Sequence, residues 1–71
     1  MGSVYKIVEL VGTSDSSWED AAVTAVAAAG SSLRDLRVAE VTTLDLQIAD
    51  DGSIAAYRAK VKLSFKHEVD V

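Results

Sequence analysis

The chain contains no cysteine and a single histidine, His67. The first absence excludes disulfides and thiolate metal sites. The second leaves a zinc site without a partner imidazole and leaves one candidate for the commonest general base. His67 stands among Lys66, Glu68 and Asp70 and reads as a solvated residue of a fraying end. There is no glycine-rich phosphate loop and no pair of carboxylates at a recognisable catalytic spacing. The chain therefore reads as a non-enzyme. No stretch approaches the ~20 apolar residues that span a bilayer, and Lys6 and Glu9 interrupt the apolar run that a signal peptide needs. Met1-Gly2 opens like a myristoylation site, but Lys6 occupies the place of the expected Ser or Thr. These features predict a cytoplasmic protein with no membrane partner.

What remains is short and apolar. The 71 residues make one domain, 1–71, with 49% hydrophobic residues. Ordering such a chain costs on the order of 1.5 kcal/mol per residue, which one small core only roughly balances. With disulfides and zinc set aside, self-association is the expected supplement. Net charge is −4, which argues against a nucleic-acid partner. That charge is uneven. In residues 54 to 71, Arg58, Lys60, Lys62 and Lys66 face only Glu68 and Asp70, a balance of +2, which leaves −6 for the rest.

Val4 to Val11 alternates and is rich in Val, Ile and Tyr, the pattern of a strand. It stops at Gly12-Thr13-Ser14, and Ser16-Ser17-Trp18-Glu19 then has the form of a capping box, which predicts a helix starting near Ser16. Asp15, Glu19 and Asp20 place negative charge at the positive end of the helix dipole. Trp18, Ala22, Ala25, Ala29 and Leu33 recur at helical spacing and form the expected inward stripe. Gly30 and the serines after it end the helix. From Ala21 to Ser32 there is no charge at all, which suits an outer face that meets another subunit as well as an ordinary Ala-rich surface.

A second strand is expected from Leu36 to Ile48, with Leu36, Val38, Leu44, Leu46 and Ile48 on one face and Ala39 and Val41 on the other. Asp50-Asp51-Gly52-Ser53 then turns the chain, since an Asp-Gly pair between strands marks a hairpin. Its calcium-loop flavour is unsupported, because the rest of such a loop is missing. In the third strand Ala55, Tyr57, Ala59, Val61, Leu63 and Phe65 should cover the helix, and Arg58, Lys60, Lys62, Ser64 and Lys66 should point away. That basic row lacks interleaved aromatics, so pairing with Glu9, Glu40 or Asp45 is favoured over nucleic-acid binding. Trp18, in step with Ala22 and Ala25, reads as a core anchor rather than a ligand platform. The expected fold is α+β, a β-α-β-β subunit whose three-stranded antiparallel sheet packs around one helix. One helix covers one sheet face, so the apolar positions of the other need a partner.

The wording VYKIVELVGTS…SWEDAA, followed by two long strands, resembles the dodecins over about residues 3 to 67. That resemblance implies a hollow homododecamer that typically binds flavin. Flavin-binding members carry a tryptophan early in the second strand on which paired isoalloxazine rings stack; alignment on Leu36 and Glu40-Val41 puts Val38 there. The family's glutamine after the third-strand tyrosine falls at Arg58, and an often charged position near the ligand falls at Asp45. Tyr57, Glu40, Gly12, Thr13 and Ser14 keep the family pattern as structural positions. The ligand-pocket positions by resemblance are thus Val38, Asp45 and Arg58. Losing the indole resembles the non-flavin branch, some of whose members are described as calcium-associated. Glu40 and Asp45 are the metal candidates if symmetry brings copies together, because calcium takes six to eight oxygens. The function expected is binding, storage or sequestration of a small ligand or ion. The alternatives are a flavin (riboflavin or FMN) dodecin with a divergent pocket and a ligand-free assembly module that meets an acidic partner.

Overall fold

In a computed structural model, residues 2–31 and 33–67 are described. Met1, Ser32, Glu68 and Asp70, which entered the readings above, lie outside the described residues, as does the side chain of His67. The order is β1 (Val4–Ser14), α1 (Trp18–Gly30), β2 (Leu36–Ile48) and β3 (Ile54–His67). The fold is α+β, and the expected β2 limits match to the residue. The helix begins one residue later than the capping box suggested. Ser17 is the cap, and its hydroxyl accepts from the Asp20 N–H at 3.0 Å, while the Ser16 hydroxyl is held by Asp15. Nor does the backbone at His67 fray: β3 runs through it, in register with Val4.

The sheet order is β1-β3-β2, antiparallel throughout, so the last strand is the central one. Pairing of β1 with β3 is regular, with Leu10 opposite Val61 and Gly12 opposite Ala59 on the helix side. Pairing of β2 with β3 shifts register between Leu36 and Val38, between Val41 and Thr43, and between Gln47 and Ile48. Each bulge adds a residue to one strand and changes its alternation. The assignment of faces in β2 is corrected accordingly. Ala39, Val41, Leu44 and Leu46 stand opposite Leu63, Val61, Ala59 and Tyr57 on the helix side, whereas Val38 stands opposite Ser64 on the far side. Simple alternation had crossed these assignments because it carried no bulge.

The buried core consists of Ala21, Ala25 and Ala29 from the helix and Ala59, Val61 and Leu63 from β3, flanked by Leu10, Ala22, Val26, Leu33 and Leu36. Trp18, expected as a core anchor, is half-buried and stands outside the packed core, at the rim where the helix starts. Small residues let the helix lie close to the sheet. A Cβ on Gly12 would run into the Ala21 carbonyl oxygen and meet the Ala25 Cβ at 3.0 Å. The helix sits over β1 and β3 and hardly touches β2. Asp35, at φ 59°, turns the chain from the helix into β2, a left-handed conformation that a short polar side chain tolerates; its carbonyl accepts from the Lys66 N–H. Gly52 takes φ 88° in the hairpin turn, where glycine pays no steric cost.

The subunit is elongated, 57 × 20 × 16 Å, with a radius of gyration of 14.9 Å. A compact chain of this length has about 11 Å. Gly12→Ala is expected to destabilise by about 1–3 kcal/mol or more, because backbone must move to admit the methyl. Gly30→Ala, whose new methyl meets only Leu36 Cδ1 at 4.0 Å, should be neutral or stabilising by up to ~1 kcal/mol. Urea denaturation of the two variants side by side checks both signs.

Candidate functional site

Two sheet faces compete for the role of a site. On the far face, the central row Arg58, Lys60, Lys62, Ser64, Lys66 runs between β1 and β2. Thr13 and Asp45 flank Arg58, Val11 and Thr43 flank Lys60, and Glu9 and Glu40 flank Lys62. Ile7 and Val38 flank Ser64, with Tyr5 beside Lys66. The face is thus charged at the hairpin end and apolar at the other, where Tyr5, Ile7 and Val38 are all exposed.

Of the three positions assigned to a ligand pocket, the structure unites two. Arg58 Nε donates to Asp45 Oδ1 at 2.7 Å and Nη2 donates to Oδ2 at 3.1 Å, a bidentate pair. Val38 is not with them. Its register partner Ser64 lies six β3 residues from Arg58, roughly 20 Å away at strand spacing. The two metal candidates are also apart, since Glu40 pairs with Lys62 and Asp45 with Arg58, roughly 13 Å along the strand. Among the described residues no group of three or more His, Asp or Glu side chains gathers around a common point. The expected pairing of the basic row is therefore made at Arg58. Lys62 stands between Glu9 and Glu40, and among the described residues neither it nor Lys60 closes an ion pair within the subunit.

Asp45 is held from two sides. Its carboxylate takes the Arg58 guanidinium, and its backbone carbonyl accepts from the Trp18 indole N–H at 3.0 Å. Trp18 in turn meets Tyr57 edge to face, with ring centroids 5.3 Å apart and planes at 79°. Such a contact contributes roughly 0.5–1.5 kcal/mol. The helix start is thereby fastened to the β2–β3 hairpin. Ser14 secures the same end from β1. It is 8% exposed, its hydroxyl donates to Asp20 Oδ2 at 2.7 Å, and it accepts from the N–H groups of Ser16 and Ser17. The Ser14–Asp20 and Trp18–Asp45 links were not visible in the sequence, because each depends on how the helix is set against the sheet. In the hairpin turn, Asp51 is occupied by the Ser53 hydroxyl and N–H, which hold its carboxyl below the usual carboxylate range.

On the helix side, the rim between α1 and β2 forms an open groove of about 420 Å³ lined by Trp18, Glu19, Ala22, Val41 and Leu44. It exists because the helix leaves β2 uncovered. Val41, Leu44 and Leu46 are 47%, 52% and 39% exposed.

The family model named Dodecin matches residues 4–68. The chain belongs to the dodecin family. It is 47% identical to the calcium dodecin of Mycobacterium tuberculosis over 64 residues, covering 90% of this chain and 89% of that one. The crystal structure of a calcium dodecin from the same organism, described as having a novel calcium-binding site, superposes with a TM-score of 0.82 at 43% identity over 97% of both chains. Streptomyces coelicolor dodecin superposes at 0.87, with 37% identity over 96% of each chain. The resemblance read from VYKIVELVGTS…SWEDAA and the β-α-β-β order is borne out by both kinds of comparison.

The Arg58 hydrogen bonds, followed by its charge, hold the Asp45 carboxyl below the usual carboxylate range; the charge of Lys60 adds to this. A depressed folded value means that the pair's contribution is intact above the unfolded carboxyl range and is lost as pH falls through the folded one. A carbon-detected NMR titration should place the Asp45 midpoint below the usual carboxylate range, and Arg58→Gln should return it toward that range. Trp18→Phe, which keeps a ring but removes the donor to Asp45, is expected to cost about 0.5–1.5 kcal/mol in denaturation.

Proposed function

We propose that this dodecin is a non-catalytic shell, a homododecamer that binds and sequesters a small ligand or ion, and that it works on the calcium side of its family rather than as a flavin carrier. The observation that carries this is the far face at Val38, Asp45 and Arg58. A flavin ring needs an aromatic platform, and Val38 offers an exposed aliphatic side chain in its place. The guanidinium at the position where the family hydrogen-bonds the ring edge is already spent on Asp45. Identity of 47% to a calcium dodecin over most of the chain supports the same direction.

Calcium prefers six to eight oxygens, more than one subunit gathers here. The binding site is therefore assembled from copies around a symmetry axis. Glu40 is the better carboxylate for it, exposed and in no ion pair among the described residues, whereas Asp45 would first have to leave Arg58. The elongated subunit and its uncovered β2 support assembly. Localisation in the cytoplasm and the absence of a nucleic-acid partner complete the reading. No described helix is long and apolar enough to cross a membrane.

Light scattering at micromolar concentration should return roughly twelve times the mass of one chain; a folded species of 7.5 kDa would sink the shell. Riboflavin and FMN should show weak quenching or none, on the order of a hundredfold below a pocket with an indole platform. Val38→Trp should recover part of it. Calcium titration of the native protein should show saturable binding that Glu40→Gln abolishes or weakens at least tenfold. Tight flavin quenching with no calcium response would return the protein to the flavin branch.

A further inference from the structure

The turn between β2 and β3 carries a reactive backbone pair. The chain has no asparagine, so deamidation through that side chain has no substrate. Among its aspartates, Asp51 alone precedes a glycine. In that pair a backbone nitrogen closes most readily on the preceding side chain, because glycine has no Cβ to obstruct the ring. The step balances without a cofactor. The Gly52 nitrogen bonds to Asp51 Cγ, its proton and the hydroxyl of the neutral carboxyl depart as water, and a five-membered succinimide remains. Water then opens the ring. Where it cleaves the bond from the Asp51 α-carbonyl carbon to the Gly52 nitrogen, the main chain runs on through Cβ and Cγ. The product is an isoaspartate of unchanged mass.

The folded turn opposes this step twice. Ala49 N–H donates to the Ser53 carbonyl at 2.8 Å and Gly52 N–H donates to the Ala49 carbonyl at 2.9 Å, which closes a three-residue hairpin loop. Among the described non-glycine residues only Asp35 has positive φ, so Asp50 and Asp51 form a type I turn, with Gly52 left-handed after it. In such a turn ψ of Asp51 is about 0°. Ring closure must swing the Gly52 nitrogen away from that setting to face Cγ, which breaks its bond to Ala49. The carboxyl is restrained as well. Asp51 Oδ1 accepts from the Ser53 hydroxyl at 2.6 Å and from the Ser53 N–H at 3.0 Å. These bonds favour the charged carboxylate, the form that a nucleophile attacks least.

We infer that Asp51–Gly52 is an isomerisation site that the type I turn and the Ser53 hydrogen bonds keep shut, so that isoaspartate forms there when the hairpin opens. The modification adds a methylene to the main chain beside the Ile48–Ile54 pair, where the two strands meet the turn.

The full chain is incubated at neutral pH and physiological temperature, folded in buffer and unfolded in guanidinium chloride. Tryptic peptides are then fragmented by electron transfer, which distinguishes isoaspartate from aspartate at residue 51. Isoaspartate is expected to accumulate at least about tenfold faster in the unfolded chain, since the reaction follows the open population. Ser53→Ala, with its sheet intact by circular dichroism, should raise the folded rate about fivefold. Asp51→Glu, whose side chain is too long for the five-membered ring, should give no such product in either state. Equal rates in the folded and unfolded wild type would overturn the inference, as would an unfolded chain that stays unmodified. Ser53→Ala at the wild-type rate would overturn the part given to Ser53. If that variant does not fold, the comparison of folded with unfolded wild type still decides.

Discussion

The approach of α1 to β1, made through side chains that are missing or minimal, sets every other distance in the subunit. Gly12 presents no Cβ to the Ala21 carbonyl, and Ala25 and Ala59 keep the helix low over β1 and β3. A helix seated that close cannot also reach β2, which lies on the far side of β3 in the sheet. The uncovered row, the open groove and the elongated outline all descend from this placement. Little apolar volume is enclosed, and among the described residues only Leu63 and Val61 are large, fully buried side chains. The chain is thus an extended sheet with one close helix rather than a globule around a large core.

The polar contacts at the hairpin end convert that layer into something rigid. Ser14 ties β1 to the first turn of the helix, and the Trp18 indole ties the same turn to the Asp45 carbonyl. Arg58 fastens Asp45 to the central strand. Three strands and the helix start are thus connected within a few residues of one another, and Asp45 and Arg58 belong to that brace. Val38, at the opposite end, is coupled to neither.

Most of the architecture was legible because local signals agreed. Alternation in Val4–Val11 and in Tyr57–Phe65, the Asp51-Gly52 turn and the uncharged run after Asp20 each pointed to one element type. The β2 faces were not legible, because the bulge between Val41 and Thr43 leaves no compositional mark in a stretch that is apolar on both sides. The Asp45–Arg58 pair was open to deduction from opposite charges on neighbouring strands, whereas the lone position of Lys60 depends on register. The helix cap moved from Ser16 to Ser17 because two adjacent serines offer the same chemistry, and only the path out of β1 chooses between them.

The strand order also bears on how the chain reaches this state. With β3 in the centre, β1 and β2 share no hydrogen bonds, and Val4 finds its partner only at His67. During synthesis β1 and the helix emerge long before the strand that joins them to β2. Nothing resembling the native sheet can therefore form on the ribosome until residues 54–67 are free, and the early hydrophobic segments must wait in solvent. Removal of β3 would leave two strands with no shared partner rather than a smaller sheet.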